Sequence, residues 1–148
     1  MRHYAAERVL LYTAGELYDL VADVERYPEF LPWWLGARVR RRDGDTRQVD
    51  QLLGLGPLRW RFSSTAAGRR PDWLRITSDA RPFRRLDIRW DFEAESEVRC
   101  TVKFQTRYAF RSALWDRLFH SMLDEAIGKT LDAFGDRAQR LYGLPQAR

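Results

Sequence analysis

The 148-residue chain has one cysteine, Cys100, which excludes an internal disulfide and any multi-cysteine metal site. Histidine is nearly as scarce, and His3 and His120 lie too far apart for zinc-type spacing. Long apolar runs are missing too. The longest, Phe30 to Ala37, has 8 residues, against the ~20 that a spanning helix needs. No stretch near the N-terminus has signal-peptide quality. The sequence therefore reads as a non-spanning protein of a reducing cytoplasm, with no metal and no cofactor expected. Lysine is rare as well: of 26 basic residues only Lys103 and Lys129 are lysines, and the rest are arginine.

What is present is aromatic and basic. Eight Phe, six Tyr and six Trp make up 14% of the chain, and hydrophobic residues make up 45%, enough for one domain, residues 1–148, with its own core. The net charge of +5 favours anionic partners such as phospholipid headgroups, RNA or acidic proteins. Part of the arginine bias is also what a GC-rich genome would produce.

The chain opens with a strand, His3 to Tyr12. Thr13 and Glu16 then form a capping box, followed by Leu17, Leu20, Val21 and Val24 at helical spacing. Pro28 is expected to break this helix, leaving Glu29 to Gly36 as an apolar loop. From Ala37 to Phe110 the period becomes two. Turns are expected at Asp43-Gly44-Asp45, Gly54 to Pro57, Gly68 to Asp72 and Arg81-Pro82-Phe83. Val98, Cys100, Val102, Phe104, Thr106, Tyr108 and Phe110 alternate with mostly polar residues, the mark of half-buried antiparallel strands. Ser112 then caps a helix running to Tyr142, with Gly143 at its end and Pro145 preventing continuation. Its expected apolar stripe is Leu114 or Trp115, Leu118, Phe119, Met122, Ala126, Thr130, Ala133 or Phe134, Ala138 and Leu141. Gln146 to Arg148 read as a loose tail.

This order predicts an α+β fold, a curved antiparallel sheet of about seven strands wrapped around one long C-terminal helix. A sheet curled over a single helix leaves a cavity unless large side chains fill it. Candidate walls on the strands are Trp60, Phe62, Ile76, Leu86, Ile88, Trp90, Phe104 and Tyr108. Phe119, Met122 and Ala126 face them from the helix, Met122 being soft enough to repack around a flexible tail. An aromatic stripe of this kind is also ordinary core. Phe30, Leu31, Trp33 and Trp34 stand either as a loop tucked onto the core or as a gate at the cavity mouth that touches a bilayer.

Catalysis finds little support in the sequence. His120 has no partner at motif spacing, and Asp19, Asp23 and Glu25 suit the first helix's dipole or a nearby arginine. Cys100 alternates inward as a small buried hydrophobe. Gly54 and Gly56 precede a strand and form no phosphate loop. Arg38, Arg40, Arg41, Arg42 and Arg47 form the densest basic cluster. It reads as a solvated edge hairpin, an anionic-lipid contact or a phosphate contact on RNA. Arg69, Arg70, Arg81, Arg84 and Arg85 extend the field through the turns. No RNA-reading motif is present, and no DNA partner is expected.

Several segments resemble the START-like coenzyme Q-binding family of the polyketide cyclase/dehydrase and lipid transport superfamily. The strongest is Leu20 to Trp33, Leu-Val-Ala-Asp-Val-Glu-Arg-Tyr-Pro-Glu-Phe-Leu-Pro-Trp. Pro82-Phe83-Arg84-Arg85-Leu86, Trp90-Asp91-Phe92 and Phe134 to Gly143 are also similar, and the resemblance spans about Tyr4 to Gly143. Two positions depart from it: the family's usual Cys after Pro-Trp is Trp34 here, and its Gly before Pro-Phe is Arg81. The resemblance implies a helix-grip fold and non-enzymatic binding and delivery of ubiquinone or another prenylated quinone or lipid, in support of respiration. A location at or near the inner membrane would follow. A bacterial branch resembles ribosome-association toxins that bind the large ribosomal subunit, which is the alternative role. A polyketide aromatase or cyclase on the same fold is a third reading. Polar groups that would hold a quinone head are Tyr108, Gln51 and Arg137.

Overall fold

Strand β1 (Arg2–Leu10) enters helix α1 (Ala14–Ala22) through the expected capping box. The Thr13 hydroxyl accepts from the Glu16 N–H at 3.0 Å, and the Glu16 carboxylate accepts from the Thr13 N–H at 3.1 Å. The helix stops at Ala22, short of Val24. Pro28 does not break it: the proline rides inside a separate 3-10 helix, Val24–Glu29, whose φ suits a proline ring. The loop after it is shorter than expected, because Trp34 already opens β2 (Trp34–Asp43), paired with Leu53. A register shift between Trp34 and Gly36 lets the strand begin there.

The remaining strands are β3 (Thr46–Leu55), β4 (Leu58–Arg69), β5 (Trp73–Ser78), β6 (Phe83–Ser96) and β7 (Arg99–Phe110). A computed structural model describes residues 1–144, and in it all seven strands form one antiparallel sheet in the order β1-β7-β6-β5-β4-β3-β2. Every predicted turn falls between strands. Two of them rest on glycines that take the left-handed region, Gly44 at φ 62° and Gly56 at φ 57°. Val98 departs from the alternation: it lies in the β6–β7 turn and is 61% exposed.

Helix α2 (Ala113–Tyr142) is capped by the Ser112 hydroxyl, which accepts from the Leu114 and Trp115 N–H groups, and it ends at Gly143. At about 1.5 Å per residue it is about 45 Å long and lies across the concave face of the sheet. Its buried stripe is Leu123, Ala126, Ile127, Leu131, Phe134 and Ala138. Leu114, Leu118 and Leu141 are exposed instead. The i, i+4 row through Leu114 and Leu118 starts exposed and turns onto the core face only further along, at Ala126, Phe134 and Ala138, since four residues advance a 3.6-residue helix beyond a full turn. The expected stop at Pro145 and the tail Gln146 to Arg148 lie outside the described residues.

Alternation gives the sheet two different faces. Trp60, Phe62, Ile76, Leu86, Trp90, Phe104 and Tyr108 are buried on the concave side. The convex side carries ion pairs such as Arg75–Asp87 and Arg89–Asp91, and Arg75 holds the Asp87 carboxyl below its usual range. The basic cluster from Arg38 to Arg42 occupies β2, an edge strand, where charge discourages sheet-to-sheet pairing.

Candidate functional site

Between the concave face and α2 is an apolar cavity of about 50 Å³. The 3-10 helix and the chain after it contribute Tyr27, Leu31, Trp33 and Trp34 to its wall. The sheet contributes Leu53, Ile76, Phe83, Leu86, Ile88, Trp90, Phe104 and Thr106. Helix α2 closes it with Leu123, Ala126, Ile127, Thr130 and Phe134. Free volume is small because rings interlock: Phe134 meets Tyr27 at 5.3 Å, Phe30 at 5.0 Å and Trp90 at 4.8 Å between centroids. A water molecule's share of the liquid is about 30 Å³ and drug-sized sites begin near 300 Å³. A lipid-sized guest must therefore displace side chains.

Nine of the expected residues line this cavity: Leu31, Trp33, Trp34, Ile76, Leu86, Ile88, Trp90, Phe104 and Ala126. The others sit elsewhere. Phe30 lies outside it against Phe134 and Tyr27, beneath the Arg137 guanidinium at 5.1 Å. Trp60 and Phe62 belong to a neighbouring aromatic layer with Phe83 and Trp115. Phe119 and Met122 are half-buried, Phe119 packing on Trp115 at 5.2 Å. Tyr108 points its hydroxyl at α2 and donates to Asp124 at 2.6 Å. Burial and that carboxylate push the phenol far above its usual range.

The three expected head-group ligands lie outside the cavity, each with a partner in the protein. Tyr108 is committed to Asp124, Gln51 donates to Ser64 at 2.5 Å, and Arg137 pairs with Glu29 at 2.7 Å. None of the three lines the cavity. Among the residues that do, Trp34 and Thr106 each carry a buried polar atom, the indole N–H and the hydroxyl, without a partner among the described residues. An unmet buried polar group costs about 1–3 kcal/mol. Thr106 was visible in the sequence as the one polar member of an inward-facing row. Trp34 was visible as a departure from the family pattern. Leu123 and Ile127 were missed by following the i, i+4 ladder; Tyr27 and Phe83 were legible only as members of the segments that resemble the family, and Leu53 carried no signal of its own.

Beside the cavity is an open depression of about 260 Å³, sharing Trp33 and Ala126 with it and bounded by Pro32, Gly56, Met122 and Lys129. Met122 closes on the β3–β4 turn: a side chain at Gly56 would meet its Cε at 3.1 Å. The shared Trp33 and Ala126 join this depression to the cavity, and we take it as the mouth.

Other groups weighed for chemistry are engaged structurally. Asp19 pairs with Arg70 and Asp23 with Arg26, and Glu25 accepts from the Val39 N–H at 2.9 Å. The His120 ring lies 2.7 Å from the Asp116 carbonyl one turn earlier on α2. Burial pushes the Cys100 thiol up to about 11. A raised folded value favours the protonated thiol, so its contribution to stability is present below the unfolded value and is lost as pH rises toward 11. Native protein at pH 8 should react with a disulfide reagent no faster than it unfolds, whereas urea-unfolded protein reacts at once; equal rates would place the thiol at the surface.

A sheet gripping one helix around a small apolar cavity is an α+β helix-grip fold, and solved structures of START-superfamily proteins share that fold. A START superfamily protein from Mycobacterium smegmatis superposes with a TM-score of 0.80 at 13% identity, over 94% of this chain and 98% of that one. The chain belongs to the polyketide cyclase / dehydrase and lipid transport family, whose pattern matches residues 11–135. An 18 kDa protein from Caulobacter crescentus is 34% identical over 97% of this chain and 100% of that one, with a TM-score of 0.74. The ribosome association toxin RatA of Pseudomonas aeruginosa is 29% identical, covering 95% of this chain and 98% of its own. The mitochondrial coenzyme Q-binding protein COQ10 homolog B of Xenopus laevis is 28% identical over 95% of this chain, which spans 59% of that protein's length. The Zhui aromatase/cyclase of Streptomyces shares the fold at a TM-score of 0.81 and 13% identity, over 94% of each chain.

Proposed function

We propose that this protein binds and delivers an apolar ligand that carries carbonyl or ether oxygens, a prenylated quinone such as ubiquinone fitting best, and catalyses no reaction on it. The observation that carries this reading is the pair of unpartnered polar atoms, Trp34 Nε1 and Thr106 Oγ1, on residues of a mostly apolar wall whose Tyr27 and Thr130 hydroxyls already have partners. An indole N–H only donates, so Trp34 asks for an acceptor, and Thr106 can donate to another. The wall's one ionisable side chain, Tyr27, already donates to the Val21 carbonyl. That favours holding over acid–base chemistry, and the relative that binds coenzyme Q agrees with it. In a respiring bacterium the role would be supply of quinone to the electron-transport chain from the cytoplasmic side of the inner membrane.

Native mass spectrometry with organic extraction tests this on protein purified from a quinone-producing bacterium. A co-purifying ubiquinone or menaquinone supports the reading. Protein that emerges empty and stays empty when incubated with quinone counts against it. Thr106→Val should separate the hydroxyl's two roles. Stability should rise by about 1 kcal/mol in urea unfolding, because an unmet polar group is removed, while quinone affinity falls about fivefold. A loss of stability would mean the hydroxyl is already satisfied.

Ribosome binding is the second reading, favoured by the RatA relatives and by Arg38 and Arg42, which have no carboxylate partner among the described residues. It requires co-sedimentation with the large subunit that weakens steeply with salt. Replacing Arg40, Arg41 and Arg42 together should abolish that while leaving quinone binding intact.

A further inference from the structure

The segment after the 3-10 helix is largely covered: Leu31 and Trp34 are buried, Phe30 and Trp33 are half-buried, and Leu35 is 37% exposed. A more exposed apolar row lies on the first turns of α2, where Leu114 and Leu118 are 57% and 54% exposed. The same i, i+4 row continues to Met122 at the cavity mouth, and half-buried Trp115 and Phe119 flank it. A groove of about 610 Å³ beside this row is lined by Trp60, Arg81, Pro82, Arg111, Ser112 and Trp115.

Unpaired charge around the row is mainly positive. Arg81, Arg84, Arg111 and Arg117 have no carboxylate partner among the described residues; Arg111 donates instead to the Phe83 carbonyl at 2.9 Å. Two of the neighbouring acids are neutralised, Asp116 by Arg2 at 2.9 Å and Glu125 by Lys129 at 3.0 Å, while Asp124 accepts from the uncharged Tyr108 hydroxyl at 2.6 Å and keeps its charge. Exposed leucines, a tryptophan at their border and unneutralised arginines are what a helix needs to lie at the headgroup boundary of an anionic bilayer.

We infer that the first turns of α2 are a membrane-docking surface for bilayers containing anionic phospholipid. Leu114 and Leu118 enter the acyl boundary, Trp115 sits at headgroup level, and Arg81, Arg111 and Arg117 meet phosphates. Docking in this pose presents Met122, and with it the mouth, to the lipid. The purpose of such docking rests on the lipid-carrier reading; the docking itself does not need a ligand.

The test is flotation of the full chain with phosphatidylcholine vesicles, with and without phosphatidylglycerol, in the absence of quinone. Wild type should float with the anionic vesicles and weakly with the neutral ones. Leu114→Gln with Leu118→Gln replaces exposed side chains by a good helix former, so far-UV circular dichroism should not change, while partitioning falls at least about tenfold. Arg117→Gln should weaken binding only to the anionic vesicles. Failure of wild type to float, or equal flotation of the double leucine variant, overturns the inference; salt-sensitive binding that the double variant retains reassigns the surface to a polyanion such as RNA. Quinone titration of wild type and double variant without vesicles should be the same. Absence of binding in both would sink the carrier reading and leave the flotation result standing.

Discussion

Phe134→Ala should lower the unfolding free energy by about 3–5 kcal/mol, the largest single loss expected from the cavity wall. Phe134 is almost fully buried and touches three rings on three different elements: Tyr27 in the 3-10 helix, Phe30 after it and Trp90 on β6. Truncation removes the ring's transfer energy and leaves a void bounded by aromatic faces that cannot close together. Against a typical total of about 5–15 kcal/mol this is a large fraction, so the melting temperature should drop by many degrees. The void adjoins the native cavity and is apolar, so it should stay dry and accept a small aromatic guest. Indole or benzene at millimolar concentration should then recover part of the lost melting temperature in the variant and little in wild type. A variant that loses less than about 1 kcal/mol would show that α2 is not locked to the 3-10 helix through this ring.

Ala126→Phe should reduce quinone affinity at least about 100-fold. Ala126 is buried on α2 and is shared by the cavity and its mouth, and a phenyl ring there occupies the space that a guest would have to open. Forfeiting the burial of even part of one isoprenoid unit costs the few kcal/mol that such a factor represents. Overpacking should cost about 1–3 kcal/mol of stability, so the unliganded variant's melting curve is the control for folding. Unchanged affinity in a folded variant would place the ligand outside this cavity.

Most of the fold was legible because its signals are local. The capping box at Thr13 and Glu16, the glycine turns, Ser112 and the two-residue period of β4, β6 and β7 each follow from a few neighbouring residues. The errors fall where tertiary packing decides. Along α2 the row through Leu114 and Leu118 is exposed at its start and buried only from Ala126 on, where the adjacent Leu123, Ile127 and Leu131 are buried with it. Pro28 looked like a breaker because its ring cannot enter an α-helix interior, yet a 3-10 helix accommodates it.

The candidate site was legible in part for the same reason. Alternation correctly sends Trp60, Phe62 and Tyr108 inward, but cannot say which inward residues meet a void and which meet one another. Tyr108, Gln51 and Arg137 looked available in the sequence because their partners Asp124, Ser64 and Glu29 are distant in the chain or across a strand pair. Sequence departures were the better guide. Trp34 stands where the family usually has cysteine, and its indole N–H is one of the two polar atoms that the cavity leaves unmet.

The central claim is that this cavity opens to take a prenylated quinone, and tryptophan quenching tests it most directly. Trp33, Trp34 and Trp90 all line the wall, so a quinone inside should quench their fluorescence. Wild type is titrated with quinones of increasing isoprenoid length, below the concentration at which they aggregate. Saturable quenching that tightens from the two-unit quinone to longer ones is the expected result, since each added unit buries more apolar surface. Quenching that never saturates, or an affinity independent of tail length, would contradict it.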